Sequence, residues 1–314
     1  MCGIVGGVID TDITSILIEG LNKLEYRGYD SSGLIVLSKE NTFDRARAVG
    51  KVSNLEKKLS ERSKKIRGKI GIAHTRWATH GEPSSINAHP HISKDKVSVV
   101  HNGIIENYLN LKKYQIKKGY KFKSDTDSEV IAHAIDLEMK SCSSLIESVQ
   151  KAVKSFQGSY GLGIILSNFP DRIIATRKGS PLLIGVGEKG NYIASDQMAL
   201  LSKTKKFIFL EEGDIAEIKI DQVTIFDIDG NLVERPIVIS KIMIGQVDKG
   251  NYSHFMQKEI FEQPQAIRDT LESRITNESV IPSAFGHKAE GIFKSINRVQ
   301  IVACGTSYNA GLVA

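Results

Sequence analysis

Apolar positions fall in two rhythms along this chain. Gly3 to Ile9 is a nearly continuous apolar run, which predicts a short buried strand. Ile13, Ile16, Leu17, Leu21 and Leu24 then recur at helical spacing, predicting a helix over Ile13–Glu25. Tyr26-Arg27-Gly28-Tyr29-Asp30-Ser31-Ser32-Gly33 is a polar, glycine-containing loop into a strand over Leu34–Leu37; by itself it reads as a turn with a surface ion pair. Strands are predicted over Lys69–Ala73 and Val97–Val100, the second running into His101-Asn102-Gly103. Asn-Gly at a strand end is a hairpin-turn signal. It is equally a side-chain amide beside an unhindered backbone N–H, two donors that could face a developing oxyanion.

Helical spacing returns over Ile104–Lys118, closed by Gly119. Ser124-Asp125-Thr126-Asp127-Ser128-Glu129 opens the next helix, with Thr126 and Glu129 at capping-box spacing. Asp127 is expected in its first turn, where the helix dipole favours a negative charge. A third helix over Ser144–Phe156 is headed by Ser144 and Glu147. From Gly158 the rhythm shortens to strands over Tyr160–Leu166, Arg172–Thr176, Leu182–Val186, Tyr192–Ser195, Phe207–Leu210, Ile215–Ile220 and Val223–Asp227, with a turn at Asp229-Gly230. Closely spaced strands with short turns predict two antiparallel sheets packed face to face with helices outside, an α+β fold.

A boundary is expected within Arg235–Gly250. Beyond it a helix begins at His254, is interrupted by Pro264 and resumes through Arg274. Val299–Ala303 reads as a buried strand, followed by Cys304-Gly305-Thr306-Ser307 and a helix start. Strand, Gly-Thr-Ser turn and helix together make a phosphate cradle. A parallel strand needs neighbours on both sides, so the chain is expected to be a truncated piece of a longer protein.

Composition changes this picture little. With 314 residues, 41% hydrophobic and 25% charged, the chain is ordinary for a globular protein with ample core. No apolar run reaches the roughly 18 residues of a membrane span, and no signal peptide is recognised, so a cytoplasmic location is expected. Cys2, Cys142 and Cys304 are odd in number and far apart, which argues against a disulfide framework. The net charge of +6 is densest over Lys57–Lys69, where no aromatic residue offers a stacking platform for bases, so no nucleic-acid partner is expected. His74, His80, His89, His91 and His101 cluster in sequence without metal-ligand spacing, and no metal is expected.

Candidate chemistry begins at Cys2. Once Met1 is trimmed, this residue carries a thiol and a free α-amine on one skeleton. The amine, with a pKa of about 7.7–8.0, can take the thiol proton without a histidine.

Cys2-Gly3-Ile4-Val5-Gly6, Arg27-Gly28-Tyr29-Asp30-Ser31, His74-Thr75-Arg76-Trp77-Ala78-Thr79-His80-Gly81, His101-Asn102-Gly103-Ile104 and Thr126-Asp127 together resemble the class II, N-terminal-nucleophile glutamine amidotransferases. The resemblance covers essentially the whole chain. His254–Ile260 and Ala303–Tyr308 are similar to the branch that carries a sugar-isomerase domain. It implies a four-layer αββα sandwich over residues 1–239, a linker over 240–250, and the start of an α/β sugar-isomerase (SIS) domain over 251–314. It implies that L-glutamine is hydrolysed through a Cys2 thioester and that ammonia passes to fructose 6-phosphate, giving glucosamine 6-phosphate. This chain is then expected to keep the glutaminase half alone.

By the same resemblance, Asn102 and Gly103 form the oxyanion hole, Arg76 holds the glutamine α-carboxylate and Asp127 its α-ammonium. Thr79 and His80 line the pocket, Trp77 gates an ammonia channel, Arg27 supports the nucleophile, and Thr306 and Ser307 bind the sugar phosphate. No cofactor is implied, and a homodimer is expected of the full-length protein. Ser32 and Ser128 stand where alanine and threonine are usual in the family, small changes that leave the chemistry intact. Relatives with other ammonia acceptors differ after Arg27-Gly28 and lack the two C-terminal segments, and a non-catalytic glutamine sensor would have no use for Cys2.

Overall fold

The structure, a computed structural model, describes residues 2–242, 252–271, 274–276, 279–285 and 289–314. It divides into two compact units near residue 246. The first unit runs β1 (Gly3–Ile9), α1 (Thr14–Leu24), β2 (Ser31–Leu37), β3 (Phe43–Val49), α2 (Val52–Ser60), β4 (Ile70–Arg76), β5 (His91–Ser93), β6 (Val97–Ile105), α3 (Tyr108–Lys117), α4 (Glu129–Glu138) and α5 (Leu145–Lys154). It continues β7 (Gly158–Leu166), β8 (Phe169–Lys178), β9 (Leu183–Gly187), β10 (Gly190–Ala194), β11 (Lys206–Phe209), β12 (Ile215–Lys219), β13 (Val223–Phe226), β14 (Leu232–Val233) and β15 (Ile237–Ile239).

Among the described residues the strands form two antiparallel sheets, ordered β15-β11-β9-β10-β1-β4-β2-β3 and β14-β13-β12-β8-β7-β6-β5. β1 lies inside the first sheet, with Val5 opposite both Ala194 and Ala73. Both its faces are buried, and that is why its sequence is a continuous apolar run rather than an alternation. One core lies between the sheets, where Ile4, Ile35 and Ile72 meet Val100, Ile165 and Ile173. A second lies between the other face of the β6–β7 sheet and α4 and α5, built on Val130, Ile131, Ile135, Val149 and Val153 against Val99, Leu162 and Ile164. The fold is α+β, as expected, and every strand expected between residues 158 and 227 is present within a few residues.

Several boundaries move, each for a tertiary reason. β6 does not turn at Asn102-Gly103. It continues to Ile105 because β7 pairs with it throughout, Asn102 opposite Gly161 and Ile105 opposite Gly158. The helix expected from Ile104 therefore begins only at Tyr108. The Thr126–Glu129 capping box does not form. The Glu129 carboxylate instead accepts from the Lys123 and Ser124 amides and the Ser124 hydroxyl, and α4 starts at Glu129 itself. Asp127 accordingly precedes the helix rather than sitting in its first turn. Ser144 does cap α5, accepting from the Glu147 amide at 3.1 Å.

In the second unit the described helices are α6 (Phe255–Leu271), α7 (Ala289–Ser295) and α8 (Gly305–Val313). α6 runs through Pro264, which removes a single backbone donor from a 17-residue helix. Val299–Ala303 forms no strand: no described strand offers it ladder partners, and Val299 and Val302 are exposed. Much of the boundary expected over 240–250 lies outside the described residues. No described helix is long and apolar enough to cross a membrane.

Candidate active site

Cys2 immediately precedes β1, so the inside of a sheet fixes where its backbone leads. Gly3 lies opposite Thr75, and the Ile4 amide donates to the Ser195 hydroxyl at 3.0 Å. The Cys2 carbonyl oxygen accepts from Arg27 Nε and from Asn102 Nδ2, both at 3.1 Å. Its Sγ accepts from the Trp77 amide at 3.3 Å and lies 3.6 Å from the Trp77 carbonyl. Burial pushes the Cys2 thiol above its ordinary value, opposed by that Trp77 N–H. A thiol held in this way needs a base beside it to react near neutral pH.

Asn102 and Gly103 lie on β6, in the sheet opposite β1. Gly103 has φ +130°, and a Cβ there would stand 2.1 Å from the Ser159 carbonyl oxygen, so glycine is dictated by the close approach of β7. Two residues further on, the Ile105 amide donates to Asp127 Oδ2 at 2.8 Å, which ties the buried Asp127 carboxylate to the same strand. His80 Nδ1 is 4.0 Å from Asp127 Oδ1, and the His80 ring stands edge-on to Tyr108 at 5.3 Å.

Arg76 ends β4 and is 3% exposed. Its guanidinium donates to the carbonyls of His80, Gly81 (2.8 Å) and Glu82 (3.4 Å), which folds the following loop back over it. Among the described residues it has no carboxylate partner. Trp77 is half exposed with Tyr29 edge-on at 5.5 Å, and Thr79 Oγ1 is 3.3 Å from His80 Nδ1. Arg27, Asn102 and Trp77 thus each contact Cys2, and Arg76, His80 and Asp127 are joined through the 77–82 loop. Thr306 and Ser307 lie exposed in the other unit, in the first turn of α8.

The Tyr26–Gly33 loop is more than a turn. Arg27 pairs with Asp196 at 3.4 Å, not with Asp30. Asp30 accepts from the Ala78 amide and from Ser31 Oγ at 2.7 Å, while its own amide donates to the Arg76 carbonyl at 3.1 Å. Asp30 and Asp196 therefore hold the two segments that flank Cys2. Asp30 stands in sequence within the Arg27–Ser31 motif but with no role attached to it, and Asp196 lies too far along the chain to be linked to Arg27 by any local pattern.

Behind the site, His74, His89, His91 and His101 are all buried. The His74 and His89 rings lie 4.1 Å apart and the His89 and His91 rings 4.6 Å apart. Burial holds His74 and His91 down to about 3, His89 well below its ordinary value, and His101 lower than usual despite the Asp127 charge. No described group of His, Cys, Asp or Glu is placed to hold a metal. The sign of the pH dependence follows. Below about pH 6.5 the unfolded chain protonates these imidazoles and the folded one does not, so stability present above that pH is lost on acidification. Each extra proton bound by the unfolded chain is worth about 1.4 kcal/mol per pH unit. Urea midpoints should fall clearly between about pH 7.5 and about pH 5.5, before most carboxylates titrate; a flat profile there contradicts the buried, neutral cluster.

Comparison with known proteins bears on the chain as a whole. Residues 74–202 match the family described as a glutamine amidotransferase domain. The whole chain is 53% identical to glutamine–fructose-6-phosphate aminotransferase (isomerising) of Haemophilus influenzae and 52% identical to that of Vibrio parahaemolyticus, in each case over 51% of the relative. The chain thus spans about half the length of the curated relatives it matches. Among solved structures, glutamine phosphoribosylpyrophosphate amidotransferase of B. subtilis aligns at TM-score 0.63 and 22% identity, over 74% of this chain and 50% of its own. An allosteric regulatory enzyme of purine biosynthesis aligns at TM-score 0.64 and 21% identity, over 99% of this chain and 70% of its own. Those two likenesses show a shared fold. The match over residues 74–202 marks a glutamine amidotransferase domain within this chain.

Proposed function

We propose that this chain is the glutamine-hydrolysing part of a glutamine–fructose-6-phosphate aminotransferase. The observation that carries the reading is Cys2 at the head of β1 with the Asn102 amide against its carbonyl. In this reading the freed α-amine takes the thiol proton and Sγ attacks the side-chain amide carbon of L-glutamine. The oxyanion is received by Asn102 Nδ2 and the Gly103 N–H, donors that need no reorganisation as charge develops. The C–N bond breaks, the protonated nitrogen leaves as ammonia, and water hydrolyses the γ-glutamyl thioester to glutamate.

Arg76, a buried guanidinium with a planar fork of donors, takes the α-carboxylate, and Asp127 takes the α-ammonium. Thr79 and His80 line the pocket, Arg27 steadies Cys2, and exposed Trp77 stands where ammonia leaves. The layers described above are read as the αββα sandwich of N-terminal-nucleophile hydrolases. Residues 251–314 are read as the beginning of a sugar-isomerase domain, in which Thr306 and Ser307 meet the phosphate of fructose 6-phosphate. The homodimer belongs to that longer protein. Supplied with both substrates, the 314-residue chain should release glutamate from glutamine and form no glucosamine 6-phosphate. Amino sugar accumulating in proportion to enzyme would refute the division of labour, and absence of glutamate release would refute the glutaminase reading.

A further inference from the structure

One side chain behind the nucleophile has a role that the mechanism above leaves unused. The Cys2 carbonyl can only accept, so the group of Asn102 that faces it must be the NH2, and Oδ1 must face the other way. There Oδ1 meets His74 Nε2 at 3.0 Å, and the same nitrogen lies 2.9 Å from the His101 carbonyl oxygen. Both neighbours are acceptors, so Nε2 carries the proton and donates to both. Nδ1 is then bare, and it is a buried ring atom without a partner among the described residues. The ring cannot swing away, because it is fully buried in β4 and packed on His89 at 4.1 Å. Removing this donor would leave the Asn102 amide anchored by its Nδ2 contact with the Cys2 carbonyl alone and free its Oδ1 end to move.

We propose that His74 is a positioning residue for glutamine hydrolysis: its forked Nε2–H sets the Asn102 amide so that Nδ2, and not Oδ1, faces the nucleophile. The inference rests on the glutaminase reading of the site. It also assigns the bridge between β4 in one sheet and β6 in the other a catalytic purpose, since a purely structural staple could have ended on the His101 carbonyl alone.

The test compares His74→Gln, which keeps an N–H donor, with His74→Leu, which fills similar space without one, alone and combined with Asn102→Ala. His74→Leu should lower kcat by roughly 10–100-fold, with KM for glutamine within about twofold, and His74→Gln should stay within about fivefold of the parent. In the Asn102→Ala background, His74→Leu should cost nothing further. Equal losses in Leu and Gln, a KM that rises as kcat falls, or an undiminished loss in the Asn102→Ala background would each overturn the proposal. A second readout does not depend on turnover. The Asn102 side-chain amide, identified by its disappearance from the 15N–1H spectrum of Asn102→Ala, should shift strongly in His74→Leu and little in His74→Gln. An amide signal unmoved by His74→Leu overturns the positioning role. A parent chain that hydrolyses no glutamine overturns the glutaminase reading instead.

Discussion

Cys2→Ala should abolish glutamine hydrolysis, by roughly 10⁴-fold or more, while the chain stays folded and still binds glutamine. The size follows from removing the atom that forms the thioester in the proposed reaction, which a methyl group cannot replace. The fold should survive because the Cys2 side chain contributes only its Sγ contacts with the Trp77 backbone. The backbone anchoring through Arg27 and Asn102 uses the Cys2 carbonyl, which alanine retains. Binding should survive because Arg76 and Asp127 are untouched. Glutamate release and glutamine-induced thermal stabilisation measured on one preparation decide the matter. Turnover within tenfold of the parent removes Cys2 from the mechanism, and loss of the stabilisation means that the thiol was needed for binding.

Gly103→Ala should combine a stability loss with a loss of activity. The backbone conformation costs about 1–3 kcal/mol for any residue with a Cβ. The 2.1 Å approach to the Ser159 carbonyl then demands that β6 and β7 move apart, worth about as much again. A fall in Tm on the order of 10 °C is expected for a domain of this size. Asn102 shares the displaced strand, so hydrolysis should drop by about 100-fold or more in the fraction that remains folded. A variant with the parent's Tm would show that the β6–β7 contact is not tight, and the reason given for glycine would fall.

The elements that sequence alone revealed are those whose signal is local. β1 and the strands from β7 to β13 carry apolar runs bounded by turns, and α1 and α5 carry periodic faces. β3 escapes because its polar residues have partners far along the chain: Arg45 donates to the Pro90 carbonyl and Arg47 to those of Ile86 and Ala88. The Asn102-Gly103 turn was misleading for the opposite reason. A dipeptide with strong turn chemistry was overruled by a β7 partner more than fifty residues away. The site divides in the same manner. The residues that the proposed function puts against substrate, Cys2, Arg76, Asn102 and Asp127, stand in sequence motifs, whereas the work of His74, Asp30 and Asp196 consists of holding other residues, and only the assembled fold displays it.

Arg76 has one more consequence. Its guanidinium, at 3% exposure, is held by carbonyl oxygens with no carboxylate paired to it among the described residues, so a ligand beside it meets a buried positive charge. A simple carboxamide that fits the space but lacks an α-carboxylate must displace solvent from that charge and offer nothing in return. On the proposed glutaminase reading, the site would sort amides by the penalty of a stranded ion more than by attraction for the reacting group. Selectivity for a free amino acid over a glutamine side chain inside a peptide would follow from electrostatics alone, before any step of the chemistry.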